Sequence, residues 1–202
     1  VRDRFGIKPQ YWVMTPEGLV FGSELKVLFA HPAVERRFTS EGLFHQLMQT
    51  MVPGTTAFAG VNQVKPGHVL KVQRVNGHLE VSESTYWDVD FPRKDERDPK
   101  RTEADHIAAV RAALLEAVEL RMVADVPVGC YLSGGIDSCS ILGLASAVSQ
   151  APVKAFTIGF DDARYDESPI AREMAEATGA EQDLMRLSGK ELYGHMERTI
   201  WH

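Results

Sequence analysis

The chain has 202 residues, enough for one large domain or two small ones. Apolar and charged fractions of 44% and 25% are those of an ordinary globular protein, and a formal net charge of −6 offers no basic surface for nucleic acid. No apolar run approaches the roughly 18–20 residues of a membrane-spanning helix, and no signal peptide opens the sequence.

The first third reads as β-rich. It opens without methionine, in what looks like a strand, and the chain is expected to be a piece of a longer protein. Tyr11–Met14 and Leu19–Phe21 flank Pro16-Glu17-Gly18, a hairpin signal. Ser23 is placed to cap a short helix through Phe29, and a second helix is predicted from about Ser40 to Met51. Pro53-Gly54 and Pro66-Gly67 mark turns. Val69–Val72 and Leu79–Val81 flank Asn76-Gly77, the sequence of a type I′ hairpin. From Asp88 to Arg101 the chain is charged, bracketed by prolines and poor in apolar residues, which predicts a linker.

The remainder alternates helix and strand. Thr102 and Asp105 form a loose capping box, and Ile107, Val110, Leu114, Val118 and Met122 follow helical spacing. A strand from Val126 to Leu132 leads through a glycine turn into a helix from Ile136 to about Val148. Lys154–Phe160 is a second strand. Ser168-Pro169 reads as a cap followed by proline at the first helical position, and Thr178-Gly179 ends that helix. Gln182–Leu187 is a third strand. Such alternation predicts a parallel α/β sheet with its ligand at the carboxyl ends of the strands.

The turn Ser133-Gly134-Gly135-Ile136-Asp137-Ser138 carries the chemistry. Its glycines let backbone approach a ligand, and the helix that follows points its free N–H groups and positive dipole end into the turn. That combination binds anions, phosphate above all. A bare carboxylate such as Asp137 would repel phosphate unless a divalent cation lay between them, and Mg2+ is commonly held by one or two carboxylates plus phosphates. Ser133, Ser138 and Ser140 add hydroxyls. No lysine follows the glycines, so this is not a Walker loop. A plain Gly-Gly turn with a serine/aspartate cap is the bland alternative. Cys130 and Cys139 flank the loop without CxxC spacing, which suggests reduced thiols and a cytoplasmic protein. The seven histidines show no metal spacing.

The strand–SGGIDS–helix pattern resembles the ATP pyrophosphatase, or PP-loop, signature. Two further sets of residues narrow the resemblance. Arg2-Asp3-Arg4-Phe5-Gly6-Ile7-Lys8-Pro9 with Phe21–Leu28 resembles the end of the glutaminase domain of glutamine-dependent asparagine synthetases. Pro66-Gly67-His68 and Tyr86-Trp87-Asp88-Val89 resemble its join to the synthetase domain. Asp125–Gly129, Phe156–Phe160 and Tyr165-Asp166-Glu167 resemble the synthetase domain's start.

The resemblance implies an α/β and α+β chain. The C-terminal part of an Ntn-type glutaminase domain would occupy residues 1–87, a linker 88–101, and the first half of a parallel-sheet PP-loop domain 102–202. It implies a carbon–nitrogen ligase that activates aspartate with ATP and Mg2+ as β-aspartyl-AMP, which glutamine-derived ammonia converts to asparagine. Carried over by position, Ser133, Gly134, Gly135, Asp137 and Ser138 would bind pyrophosphate, Asp137 would bind Mg2+, and Leu132 and Ile158 would hold adenine. Asp166 and Glu167 match the pattern without an assignable step and would serve equally as complements to a helix dipole. Expected partners are small molecules, with neither nucleic acid nor membrane; a homodimer is left open.

The chain departs from the family in three ways. Val1 stands at the start, where the family's nucleophile is an N-terminal cysteine that neither Cys130 nor Cys139 can replace. The second pyrophosphate motif, of the SGEG(A/S)DE type, is absent, as are the later glutamate and lysine of the synthetase domain. No catalytic residue is therefore assigned within the chain, and the isolated piece is expected to be inactive. Two other readings stand beside the first: a related amidotransferase or β-lactam-synthetase-like ligase of a biosynthetic cluster, and a truncated nucleotide-binding module without turnover.

Overall fold

The structure is a computed structural model and describes residues 1–50, 52–96, 98 and 100–202. It divides into two compact units, Val1–Glu96 and Arg97–His202.

In the first unit, β1 (Tyr11–Thr15) and β2 (Gly18–Gly22) form the expected antiparallel hairpin, with Thr15 opposite Gly18. The two residues of β3 (Asn62–Gln63) pair with the other edge of β1. A separate hairpin joins β4 (His68–Val75) to β5 (His78–Thr85). Asn76 and Gly77 turn it at φ of 50° and 87°, the pair of positive angles a type I′ turn demands. Val13, Leu28, Val34 and Val61 are the unit's core, and Phe58 packs at 4.7 Å against both Phe29 and Phe38.

Three expectations need correction here. Residues 1–10 are loop and turn, not strand. The short helix α1 (Leu25–Leu28) takes Glu24 at its N-cap, with no side-chain cap, so Ser23 lies outside it. Helix α2 (Ser40–Leu47) begins where expected, its Gly42 N–H bonded to Thr39 Oγ1 at 3.0 Å, but ends at Leu47. The end predicted for it, Met51, lies outside the described residues. Gln49 stops the helix at φ 54°. The Thr50 N–H reaches His45 C=O at 2.9 Å and the Gln49 N–H reaches Gln46 C=O at 3.2 Å, the paired bonds of a Schellman turn.

The second unit runs α3 (Glu103–Met122), β6 (Gly129–Tyr131), α4 (Ile136–Val148), β7 (Lys154–Phe160), α5 (Ser168–Thr178), β8 (Glu181–Leu187), then α6 (Gly189–Gly194) and α7 (Met196–Trp201). Its three strands are parallel, as the alternation predicts, and stand in the order β6-β7-β8. The capping box forms: Thr102 N–H donates to Asp105 Oδ2 at 2.8 Å, and Asp105 N–H donates to Thr102 Oγ1 at 3.3 Å. Leu132, Leu142, Ala145, Val153, Ala155, Ala171 and Ala175 make the core with Val118 of α3. Burying a leucine contributes about 1.5–3 kcal/mol, and the alanines let α4 and α5 lie close on the sheet.

Along β7, Ala155, Thr157 and Gly159 are buried while Phe156 and Ile158 are exposed. The core therefore sits on one face of the sheet, and Tyr131, Phe156, Ile158 and Met185 line the other.

Two further corrections concern ends of elements. The strand predicted from Val126 is only Gly129–Tyr131, because pairing begins where Lys154 of β7 faces Gly129 and the far edge of β6 has no partner among the described strands. Val126 is exposed. Ser168 is the first helical residue of α5, not its cap; the carboxylate of Asp166 accepts the Ser168 N–H at 3.1 Å. The segment expected as a linker holds a single 3-10 turn, Lys94–Glu96, and two of its residues, Arg97 and Pro99, lie outside the described residues. Among the described residues no helix is long and apolar enough to cross a membrane.

Candidate functional site

Strand β6 delivers the chain to the glycine turn. Leu132 anchors that delivery: its side chain is 1% exposed in the core, and its N–H bonds Phe156 C=O at 2.8 Å. The backbone then corners at Gly134, with φ of 86°. A methyl group built on Gly134 would stand 2.9 Å from the Glu167 carbonyl oxygen and 3.3 Å from the Cβ atoms of Glu167 and Ile170. Both the dihedral and the space demand glycine. The loop thus rests on the start of α5.

Two serines fasten the loop to the first turn of α4. Ser138 Oγ accepts the Ser133 N–H at 3.2 Å, donates to Gly135 C=O at 3.0 Å, and lies 3.0 Å from Ser133 Oγ. Ser133 Oγ accepts the Gly135 N–H at 3.3 Å. Ser140 donates to Ile136 C=O at 2.7 Å and so serves its own helix. The bond from Cys139 N–H to Gly135 C=O, at 3.0 Å, closes the first turn of α4. The N–H groups of Ile136, Asp137 and Ser138 precede that ladder and are left for solvent or a ligand.

Asp137 sits in this first turn, exposed, and its carboxylate has no hydrogen bond or ion pair to any described residue. Its carboxylate is the one group of the loop that could hold a magnesium ion, and only together with a nucleotide's phosphates. Among the described residues no three histidines, cysteines or acids gather into a cage that would hold a metal without such phosphates.

Ile158 and Leu132 differ. Ile158 is 53% exposed on the open face of the sheet, whereas Leu132 presents only backbone outside the core. Gly159, next to Ile158 on β7, lies on the buried face. Its bare side turns away from Ile158, toward Asp166 Oδ1, 3.2 Å from where a Cβ would stand, and Leu184. It makes room for a carboxylate. That carboxylate bonds Ser168 and lies 3.5 Å from Arg186 on β8, and these contacts hold Asp166 below the ordinary carboxyl range. The sequence offered Asp166 no reaction step, only a place as complement to a helix dipole; in the structure it also ties β8 to the start of α5. Both cysteines are free and half-buried against the core, and burial pushes the Cys130 thiol up.

The first unit gathers its own motifs around Arg2, a buried cation. The guanidinium donates to Val64 C=O and Gly6 C=O, each at 2.7 Å, and to Lys8 C=O at 3.2 Å. Tyr86 Oη donates to the Arg2 carbonyl at 2.8 Å. Asp3 accepts the N–H groups of Ile7 and Lys8 at 3.0 and 2.9 Å, which keeps its carboxyl below the usual range. Gly67, at φ 66°, packs against the Trp87 carbonyl where a Cβ would collide, and its own carbonyl accepts the N–H groups of Tyr86 and Trp87. Three separate stretches, 2–8, 66–68 and 86–87, are thereby knotted together. Nothing local in the sequence marks Arg2 as the centre, since its acceptors come from loops up to 62 positions away.

Two family models match the chain. The one described as a glutamine amidotransferase domain covers residues 1–87, and the one described as asparagine synthase covers 109–202. The chain is 36% identical to Amidase chry2 of Gibberella zeae and 35% to Amidase chyE of Penicillium rubens; each alignment takes in 100% of this chain and 31% of the relative. It is 30% identical to Asparagine synthetase [glutamine-hydrolyzing] 3 of Bacillus subtilis, over 98% of this chain and 34% of that protein. The chain spans about a third of the length of these curated relatives. With both halves matched in this order along one polypeptide, the chain belongs to the glutamine-hydrolysing asparagine synthetase family.

Proposed function

We propose that the protein containing this chain forms an amide bond at the expense of ATP, converting aspartate to asparagine. The observation that carries the reading is the SGGIDS turn itself: a left-handed glycine corner at a strand end, free N–H groups of α4 behind it, and an unpartnered Asp137 beside it. Residues 1–87 would belong to the glutaminase domain that supplies ammonia, 88–101 to a linker, and 102–202 to the start of a PP-loop domain.

In this reading the aspartate side-chain carboxylate attacks the α-phosphorus of ATP, and the bond to the β-phosphate breaks. Ammonia then adds to the acyl carbon of β-aspartyl-AMP, loses a proton, and AMP leaves. The N–H groups of Ile136, Asp137 and Ser138 in the first turn of α4, which the loop serines leave open, would face pyrophosphate. They stabilise charge already fixed in place, which is the main demand of such transfers. Asp137 would hold Mg2+, whose contribution is to neutralise phosphate charge. Ile158 would offer apolar surface to adenine, and Leu132 backbone groups at the neighbouring strand end. The expected setting is the cytoplasm, with small-molecule substrates, no nucleic acid or membrane partner, and a homodimer left open.

The test is ATP–pyrophosphate exchange by the natural full-length protein. Exchange that requires aspartate supports the reading; exchange absent with aspartate and every other carboxylate refutes it and favours a nucleotide-binding module. The two amidase-named relatives are as similar to this chain as the synthetases are, so exchange driven by a different carboxylate would instead identify a ligase acting on another acyl substrate.

A further inference from the structure

The glycine corner of the loop has a floor, and that floor is held in place by side chains that take no part in binding phosphate. Gly134 packs on the carbonyl and Cβ of Glu167 and on Ile170. Glu167 itself makes no side-chain cap to α5. Its position is set by its neighbours. Ser168, 1% exposed, is fixed by burial and by the bond from its N–H to Asp166 Oδ1 at 3.1 Å. The side chain of Asp166 is 14% exposed and faces Arg186 Nη1 at 3.5 Å, while bare Gly159 leaves the room it occupies. The ends of β7 and β8 and the start of α5 thus converge on one carboxylate, a residue away from the backbone under Gly134.

We propose that Asp166 is a positioning residue for the Ser133–Ser138 loop, acting through Arg186 to hold the Asp166–Ser168 turn beneath Gly134. The functional half of this inference rests on the nucleotide reading above; the structural half does not. A loop that spends less time in its binding-competent arrangement binds more weakly in proportion, so a loosened floor is felt in nucleotide affinity. The pairing also offsets the negative charge of Asp166, which would otherwise weaken an anion site close by.

A carboxylate that does nothing but cap α5 predicts a different result, and the choice of variant separates the two. Asparagine caps helices as well as aspartate does. Asp166→Asn therefore keeps an acceptor for Ser168 N–H and removes only the charge that faces Arg186. In the full-length protein, Asp166→Asn and Arg186→Gln are each expected to raise amide hydrogen exchange across 133–138 roughly tenfold without nucleotide, while the β4–β5 hairpin stays unchanged. Each is expected to raise KM for ATP roughly tenfold with kcat changed much less, and the double variant to be no worse than either single one.

Unchanged loop exchange in both variants overturns the proposal, whatever the nucleotide result. Faster loop exchange in a protein whose wild type binds no ATP upholds the positioning role and refutes the nucleotide reading. If Asp166→Asn does not fold, Arg186→Gln, altered at a half-exposed side chain, decides alone.

Discussion

The knot around Arg2 and the turn around Gly134 are both made of left-handed glycines and charged side chains, yet they end in opposite states. Around Arg2 the groups are saturated: the guanidinium has three carbonyl acceptors, Asp3 has two N–H donors, and Gly67 holds the chain at Tyr86 and Trp87. Around Gly134 the serines close the loop on itself, but Asp137 and the leading N–H groups of α4 stay unclaimed. A polar cluster built for structure uses up its own valences. A cluster built for a ligand leaves some open, and here the open ones are a carboxylate and amides, the groups the proposed metal-bound phosphate would take.

Substitutions that attack the saturated side should cost the most folding stability. Arg2→Ala leaves buried carbonyls without a donor and is expected to destabilise by roughly 3 kcal/mol or more, read from a denaturant midpoint. Arg2→Lys should recover little of this, because an ammonium cannot reproduce the planar fork. A midpoint unmoved by either change would mean that the knot is incidental. Gly134→Ala comes next. It forces a side chain into φ 86° and against the Glu167 carbonyl, at about 1–3 kcal/mol, and ATP affinity should fall with it. Wild-type ATP affinity in that variant would separate the corner from the nucleotide.

A smaller effect belongs to Asp3, and its sign follows from the depressed carboxyl. The folded-state value lies below the ordinary 3.8, so the stabilisation is present above that value. It is lost as pH falls through the lower, folded value. Asp3→Asn should therefore flatten the acid limb of the first unit's stability profile, and an unaltered limb in equilibrium unfolding between about pH 2 and 5 would count against it.

How much of this was legible depends on how far each cause lies along the chain. The two hairpins, the Thr102 capping box, the α4 span and the parallel pairing of β6, β7 and β8 follow from local signals, and all are present. The end of α2 was not legible because its left-handed stop is Gln49, where the usual marker is glycine. The strand before the loop was overdrawn because its apolar run continues past the point where β7 supplies a partner. At the site, residue types and spacing pointed to the turn. The floor under it did not show, since Asp166, Arg186 and Gly134 meet only when two strands and a helix are in register.

The smallest expected effect on folding is the sharpest test of the comparison. The Asp137 carboxylate is exposed and bonded to no described residue, so removing it forfeits only its favourable place at the positive end of α4. That is worth at most about 1 kcal/mol, and salt screens it. Asp137→Ala should accordingly unfold almost as the wild type does. If the open valence exists for a metal-bound phosphate, the same change should abolish ATP-dependent turnover while glutamine hydrolysis by the full-length protein continues. A group that matters for structure loses stability and function together; a group held in reserve for a ligand loses function alone. A turnover assay and a melting curve on one preparation distinguish these outcomes. Normal turnover in Asp137→Ala would remove the reason for reading the turn as a metal-bound phosphate site and leave Asp137 as a complement to the dipole of α4.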